Sequence, residues 1–478
     1  MTETFFKIIQ QEGKGRIGIA SKDFKPYELV LEDTAAAFGP FQDAESICVA
    51  CLRDLSAVEI CRHCHLPLHQ DCEERERSVH GYECDIFAKL PSDYPHHGIS
   101  GLIMPIRLLK LRNTHPQLWK QVFALESHHE SRTGFSAGHK SLLSQLGFSD
   151  EDVEALEILT GIVQTNSASF GKKRGMSLGH GLFPTFSLLS HDCDSNCRYY
   201  ATRESESNQV IIQVRAKRAI TQGEELTIQY KNPLLGNVVR TTSLQRNWLF
   251  DCQCARCQDP TELGTYLSAL RCRRGDCPGK ILPQDFYHIS ISVDPSLWYC
   301  SSCDESIDSL SVETDLKRFD KLIRATSCLE SVTVWEGHLE AALRVFAPTH
   351  YLVMDITRVL IQLYGSLPGM RLKDLSSEQL SQKALMCQEY LQNYSRVDSG
   401  YSKWKGRIYE EYAGPIMILA QRAMDQGKMS PMEYKLEMAK GMNLLKDAAK
   451  CRQYETGENF SIAFACLLKE INDLMKVQ

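Results

Sequence analysis

Residues 48–84 read Cys48-x2-Cys51-x9-Cys61-x2-Cys64-x4-His69-x2-Cys72-x7-His80-x3-Cys84. These eight Cys and His ligands are the number that two closed tetrahedral zinc sites require. Each C-x2-C places two thiolates on one tight turn, where both can reach a shared ion at about 2.3 Å. The block is too poor in aliphatic residues to hold a core unaided, so metal is expected to supply its folding free energy. Spacing alone does not decide which ligands share an ion, and His63 and His65 rival His69 for one position.

The remaining cysteines extend the pattern. The chain has 19 cysteines and none between residues 85 and 192, a clustering that packing alone would not produce. Its start, Met1-Thr2-Glu3-Thr4 followed by a short apolar run from Phe5 to Ile9, does not read as a secretory signal, so a reducing compartment and metal are expected in place of disulfides. Cys252-x-Cys254-x2-Cys257 offers three ligands, and Cys193, in the turn-like Asp192-Cys193-Asp194, is expected to be the fourth. Cys272-x4-Cys277 with Cys300-x2-Cys303 has the two-knuckle form of a zinc ribbon, Gly275 and Gly279 easing its first turn. About four zinc ions per chain follow. Fourteen of the 19 cysteines are thereby assigned, and Cys197, Cys328, Cys387, Cys451 and Cys466 are expected to be buried small hydrophobes.

Around these blocks the chain reads as several domains, as 478 residues demand. Short apolar runs at 6–9, 17–20 and 29–31, punctuated by Gly and Pro, predict strands. Leu102, Ile106 and Leu109, then Val153, Leu156, Leu159 and Val163, predict two helices, the second opened by a Ser149/Asp152 capping box. Strands are expected again at 210–214 and 226–230, turned at Gly223. After Cys303 the pattern is helical to the end, with Leu467, Leu468, Ile471, Leu474 and Met475 on one stripe and no clean repeat. Apolar residues at 43%, charged residues at 24% and a net charge of −6 describe a folded chain. No apolar run is long enough to span a membrane, and direct nucleic-acid binding through phosphates is disfavoured.

The spacing of 48–84 resembles the MYND zinc finger, in which two ions are held in an interleaved way. That resemblance implies Cys48, Cys51, His69 and Cys72 on one ion and Cys61, Cys64, His80 and Cys84 on the other. His69 is a departure, since many such modules have Cys there. MYND modules commonly bind proline-containing peptides of partner proteins.

Taken in order, Gly13-Lys14-Gly15-Arg16, the finger, Asn166-Ser167, Ser187-Leu188-Leu189-Ser190-His191-Asp192-Cys193, Gly223-Glu224-Glu225-Leu226-Thr227-Ile228-Gln229-Tyr230 and Phe250-x-Cys252-x-Cys254-x2-Cys257 resemble the SET-and-MYND (SMYD) protein lysine methyltransferases, most of all their arthropod branch. The resemblance implies an α+β fold. A SET-type β-rich catalytic domain would be split into an N-terminal part (1–47) and a core (166–231), carrying the MYND finger (48–84) and a helical insertion (85–165). A post-SET zinc knuckle (232–257), a zinc-ribbon-like segment (258–309) and an all-α TPR-like C-terminal domain (310–478) would follow.

The same resemblance implies S-adenosylmethionine as cofactor, held by Lys14, Gly15, Arg16, Asn166, Ser187, Ser190, His191, Tyr230 and Phe250. His191 and Asn166 would bond its amino-acid and adenine parts, and Phe250 would stack on its adenine. Tyr230 would be the catalytic residue, orienting the acceptor lysine of a histone or other protein; taken by itself, it would read as a core aromatic of its strand. Family members usually carry Asn where this chain has Ser190, which leaves a second reading: a weakly active or inactive SET scaffold that recruits partners in transcriptional repression. A monomer of the nucleus or cytoplasm is expected.

Overall fold

Antiparallel pairing begins at the first described residues, where strand Phe6–Gln11 runs against Gly15–Ala20 from Phe6↔Ala20 to Gln11↔Gly15. The structure, a computed structural model, describes residues 5–41, 47–55, 59–75, 77–91, 94, 99–173, 176–204, 209–283, 297–456 and 460–475. It divides into two units: Met1–Ser190, Asn196–Ile228 and Arg246–Phe250 in the first, and His191–Ser195, Gln229–Gln245 and Asp251–Gln478 in the second.

The first unit holds two further antiparallel sheets of three strands. In one, Val210–Ala216 lies between Leu29–Thr34 and Cys197–Arg203. Its Val210, Ile212, Val214 and Ala216 are buried in strict alternation, the period-two pattern read from the sequence. In the other, Met176–Leu182 lies between Ala37–Pro40 and Ala168–Lys173. Helices Ser100–Thr114 and Asp150–Asn166 bury both predicted apolar faces in one core with the finger cysteines. The second helix opens on the expected Ser149/Asp152 capping box.

Residues 226–230 correct the sequence reading, since only Thr227–Ile228 is strand. Within it, the Thr227 N–H donates to Asn196 Oδ1 at 2.9 Å, and the Asn196 N–H donates to Thr227 Oγ1 at 3.2 Å. The Tyr230 N–H donates to a side chain as well, His191 Nδ1 at 3.0 Å.

The second unit contains a four-stranded antiparallel sheet, Leu270–Arg271, Lys280–Pro283, Leu297–Cys300 and Ser306–Asp308 in sequence order, followed by helices. Those of the described residues are Ser309–Ala325, Val332–Leu343, Tyr351–Ser366, Ser377–Val397, Lys403–Asp425, Pro431–Thr456 and Phe460–Met475. In the last, Ala463, Leu467 and Ile471 are buried. Cys466 lies beside that stripe and is exposed, as is Cys328 in the loop before Val332, so neither is the buried hydrophobe expected. Cys197, Cys387 and Cys451 are buried. No helix among the described residues is long and apolar enough to cross a membrane.

His350 caps helix Tyr351–Ser366, its Nδ1 accepting the Leu352 N–H at 3.2 Å. Its ring stacks on Phe346 at 4.1 Å, and burial pushes its pKa down to about 3. An unfolded histidine titrates near 6.5, so the stability held by the neutral ring is complete above that pH and drains away as pH falls toward 3. Urea midpoints across this window should fall more steeply for wild type than for His350→Asn, which keeps a capping oxygen. The expected difference is up to about 1.4 kcal/mol per pH unit.

Candidate functional site

The finger closes in the interleaved arrangement. Ligand atoms of Cys48, Cys51, His69 and Cys72 lie within 4.8 Å of one another, and so do those of Cys61, Cys64, His80 and Cys84. Both C-x2-C turns end on a residue in the left-handed region, Leu52 at φ 56° and His65 at φ 63°, which bends the chain tightly enough to aim both sulfurs inward. His69 turns Nδ1 to the Cys51 sulfur at 3.3 Å and its Nε2–H to the Asp54 carbonyl at 3.0 Å. His63 instead lies 3.7 Å from the exposed Asp85.

His80 presents Nε2 to the Cys64 sulfur at 3.4 Å and Nδ1 to Glu83 Oε1 at 3.2 Å. Glu83 is fully buried and paired with Arg107, which is 7% exposed. Arg107 also donates to the carbonyls of Phe38 at 2.6 Å and Val49 at 3.1 Å. Burial opposes ionisation of Glu83, but the Arg107 charge and the His80 hydrogen bond outweigh it and hold the carboxyl below its usual range. This carboxylate orients the ligand imidazole from behind, and Arg107 fastens the finger to strand Ala37–Pro40.

Cys193, Cys252, Cys254 and Cys257 form a third cluster and Cys272, Cys277, Cys300 and Cys303 a fourth. Sulfur separations of 3.5 Å for Cys193–Cys257, 3.6 Å for Cys61–Cys84 and Cys272–Cys303, and 3.7 Å for Cys277–Cys300 match the edge of about 3.8 Å that a tetrahedron with 2.3 Å zinc–sulfur bonds requires. Burial pushes the Cys84 thiol up to about 12, an acidity that a bound dication reverses. Gly279 is required in the ribbon, because a Cβ there would sit 2.3 Å from the Cys300 sulfur. All four clusters fit zinc. Metal analysis of the purified chain should return about four ions, and a count near three would remove one of these sites.

Two of the expected site residues adjoin the third cluster. His191 Nε2–H points to the Cys193 sulfur at 3.3 Å, while Nδ1 accepts the Tyr230 N–H at 3.0 Å. Both ring nitrogens are thus engaged within the protein, so contact between His191 and a cofactor is left to its backbone. The rings of His191 and Tyr230 lie 5.1 Å apart. Tyr230 is partly exposed, whereas Leu226 and Ile228, which share its parity along the sequence, are buried.

The other expected residues lie in the first unit. Gly15, at φ 78°, has nothing within 4 Å of where a Cβ would stand, leaving its backbone open to close approach. Lys14 pairs with Glu225 at 2.7 Å, and the second Glu225 carboxylate oxygen is buried with no partner among the described residues, an acceptor for a ligand's amino or hydroxyl hydrogen. Arg16 donates to the Ala124 carbonyl. Two residues on, the Glu126 carbonyl accepts from Asn166 Nδ2 at 2.7 Å, and the same nitrogen reaches the Ile162 carbonyl at 2.8 Å.

Ser187 Oγ donates to the carbonyls of Phe183 at 2.8 Å and Asn166 at 3.3 Å. Trp248 Nε1 donates to the Thr165 carbonyl at 2.8 Å, tying the segment that carries the half-buried Phe250 to the same helix end. Ser190 is half-buried on the segment that Asp33 organises by accepting the N–H groups of Thr185 at 2.7 Å and Phe186 at 3.0 Å. Asp33, Arg107 and Trp248 were not singled out from the sequence.

Residues 15–231 match the SET domain family. The chain is 30% identical over 309 residues to SET domain-containing protein SmydA-8, isoform A, of Drosophila melanogaster, covering 61% of this chain and 63% of that protein. Identity is 26% over 294 residues to histone-lysine N-methyltransferase ASHR1 of Arabidopsis thaliana, covering 56% and 59%. It is 24% over 251 residues to histone-lysine N-methyltransferase SMYD3 of Mus musculus, covering 49% and 57%. The match thus spans about three fifths of the length of these curated relatives.

Proposed function

We propose that this chain, whose residues 15–231 match the SET domain family, is an S-adenosylmethionine-dependent protein-lysine N-methyltransferase. The observation that carries the reading is Tyr230, a partly exposed phenol whose backbone is pinned to His191 at 3.0 Å beside a metal-binding knuckle. When bound, S-adenosylmethionine supplies an activated methyl group and a neutral thioether leaving group.

The protein's own work is positioning. A lysine amine of pKa about 10.4 must shed its proton before it can act as a nucleophile, and an aromatic wall that excludes water lowers that pKa. The Tyr230 hydroxyl would orient the neutral amine, and alignment of this kind is worth roughly 7–11 kcal/mol. The open backbone at Gly15, the unpartnered Glu225 oxygen, the segment carrying Ser187 and Ser190, the Asn166 turn and the Phe250 ring would hold the cofactor. The zinc sites, closed by four protein ligands each, hold shape and offer no open position for a substrate.

The acceptor is a lysine of a histone or another protein, with the finger engaging proline-containing partner segments and a monomer acting in nucleus or cytoplasm. Domain limits at 48–84 for the finger, 232–257 for the knuckle and 310–478 for the helical tail belong to the same reading. Ser190 favours a second one, a SET scaffold of low activity, because a hydroxyl offers one donor where an amide offers two. Losing one buried hydrogen bond costs about 1–3 kcal/mol, roughly tenfold to a hundredfold in cofactor affinity.

Titration of the zinc-loaded chain with S-adenosylmethionine, with a labelled-methyl screen against histones and cell extract, separates the two. Binding with label on protein supports the enzyme. Binding without label supports the scaffold, and no binding removes the cofactor from the account.

A further inference from the structure

Four thiolates around one dication leave a net charge of about −2, and the Cys193, Cys252 and Cys257 sulfurs are buried. Such a charge is costly unless a counter-ion meets it inside the protein. Arg240 does so. It is 1% exposed, and its Nε–H points to the Cys193 sulfur at 3.4 Å and Nη2 to the Cys257 sulfur at 3.9 Å. Its remaining nitrogen donates to the Leu235 carbonyl and to Glu262 at 2.7 Å. Glu262, fully buried, also accepts from Arg256 at 3.2 Å and from Ser268 Oγ at 2.7 Å. Asn237 adds Nδ2–H to the Cys257 carbonyl at 3.2 Å. The guanidinium is therefore held at both ends, by a carboxylate on one side and by two metal-ligand sulfurs on the other.

The Cys193 sulfur that receives Arg240 also receives His191 Nε2–H, and His191 Nδ1 receives the Tyr230 N–H. We infer that Arg240 is a positioning residue for the acceptor site, acting through the Cys193 thiolate and the His191 imidazole on the backbone of Tyr230. The inference rests on the methyltransferase reading for what Tyr230 does, and on the contacts above for how Tyr230 is held. Arg suits the position because its planar fork reaches two sulfurs and a carboxylate at once, whereas a lysine ammonium is a point charge.

The test uses the full zinc-loaded chain as wild type, Arg240→Met, Arg240→Lys, His191→Leu and His191→Gln. A chromogenic chelator follows zinc release, and hydrogen–deuterium exchange follows the Tyr230 amide. In Arg240→Met, one of about four zinc ions should leave about 10–100-fold faster, with Arg240→Lys intermediate. Exchange at Tyr230 should rise at least about tenfold in His191→Leu and Arg240→Met. It should stay near wild type in His191→Gln, whose amide can donate to a sulfur and accept from an N–H. Methyl transfer in the Arg240 variants should fall in kcat with KM kept.

Wild-type zinc release in both Arg240 variants, unmoved exchange at Tyr230, or a rise in KM with kcat kept would overturn the inference. If Arg240→Met does not fold, Arg240→Lys decides it. Absence of methyl transfer by wild type would overturn the catalytic reading alone, since zinc release and amide exchange need no substrate.

Discussion

Tyr230→Phe is expected to lower methyl transfer by about 10²–10³-fold, the range seen when one preorganised hydrogen-bonding group is removed from a reacting centre. The substitution deletes one oxygen and keeps the ring. The hydrogen bond that fixes residue 230, from its N–H to His191 Nδ1, is a backbone contact and survives. Zinc content and unfolding midpoint should therefore match wild type, and the loss should fall in kcat with little change in KM for a peptide acceptor. Single-turnover rates with saturating S-adenosylmethionine read this directly. A variant within twofold of wild type would return Tyr230 to a packing role.

Arg107→Met should destabilise the first unit by about 3–5 kcal/mol, the cost of stripping one partner from a buried ion pair. The loss is broader than one pair. Arg107 donates to the carbonyls of Phe38 and Val49, groups buried with it, and Glu83 would be left beside His80 with its charge uncompensated. His80 then loses its orienting carboxylate, and affinity at the Cys61, Cys64, His80, Cys84 cluster should drop about 10–100-fold. Urea midpoints and zinc analysis of the same preparations measure both effects. An unchanged midpoint with about four zinc ions retained would mean that Arg107 only fills space.

The metal ligands were legible in the sequence because Cys and His in short fixed spacings have few other uses in a chain read as reduced. Their pairing in the finger was not legible from spacing; it came from the family resemblance, and the geometry agrees with it. The helices at 102–109 and 153–163 were legible because their apolar positions keep one period and lie in one core.

Buried charges were not. Arg107 meets the Phe38 carbonyl across 69 residues of sequence, and by itself it reads as an ordinary solvated cation. Arg240 left a trace, since Asn237, Arg240 and Leu244 share the buried face of helix Asn237–Trp248, a spacing that invites the question of what a cation does there. The strand expected at 226–230 is short at its far end, where the His191 side chain takes the Tyr230 N–H that a neighbouring strand would have bound. Cys328 and Cys466 show that composition gives the tendency of a residue type and not the face on which one copy falls.

The most direct measurement is mass spectrometry of lysines in proteins incubated with the zinc-loaded chain and methyl-labelled S-adenosylmethionine, run beside Tyr230→Phe. Label on lysine side chains with wild type, and its near-complete loss in the variant, is the predicted result. Equal label from the two proteins, or none from a wild-type chain shown to hold its zinc and to bind the donor, would contradict it.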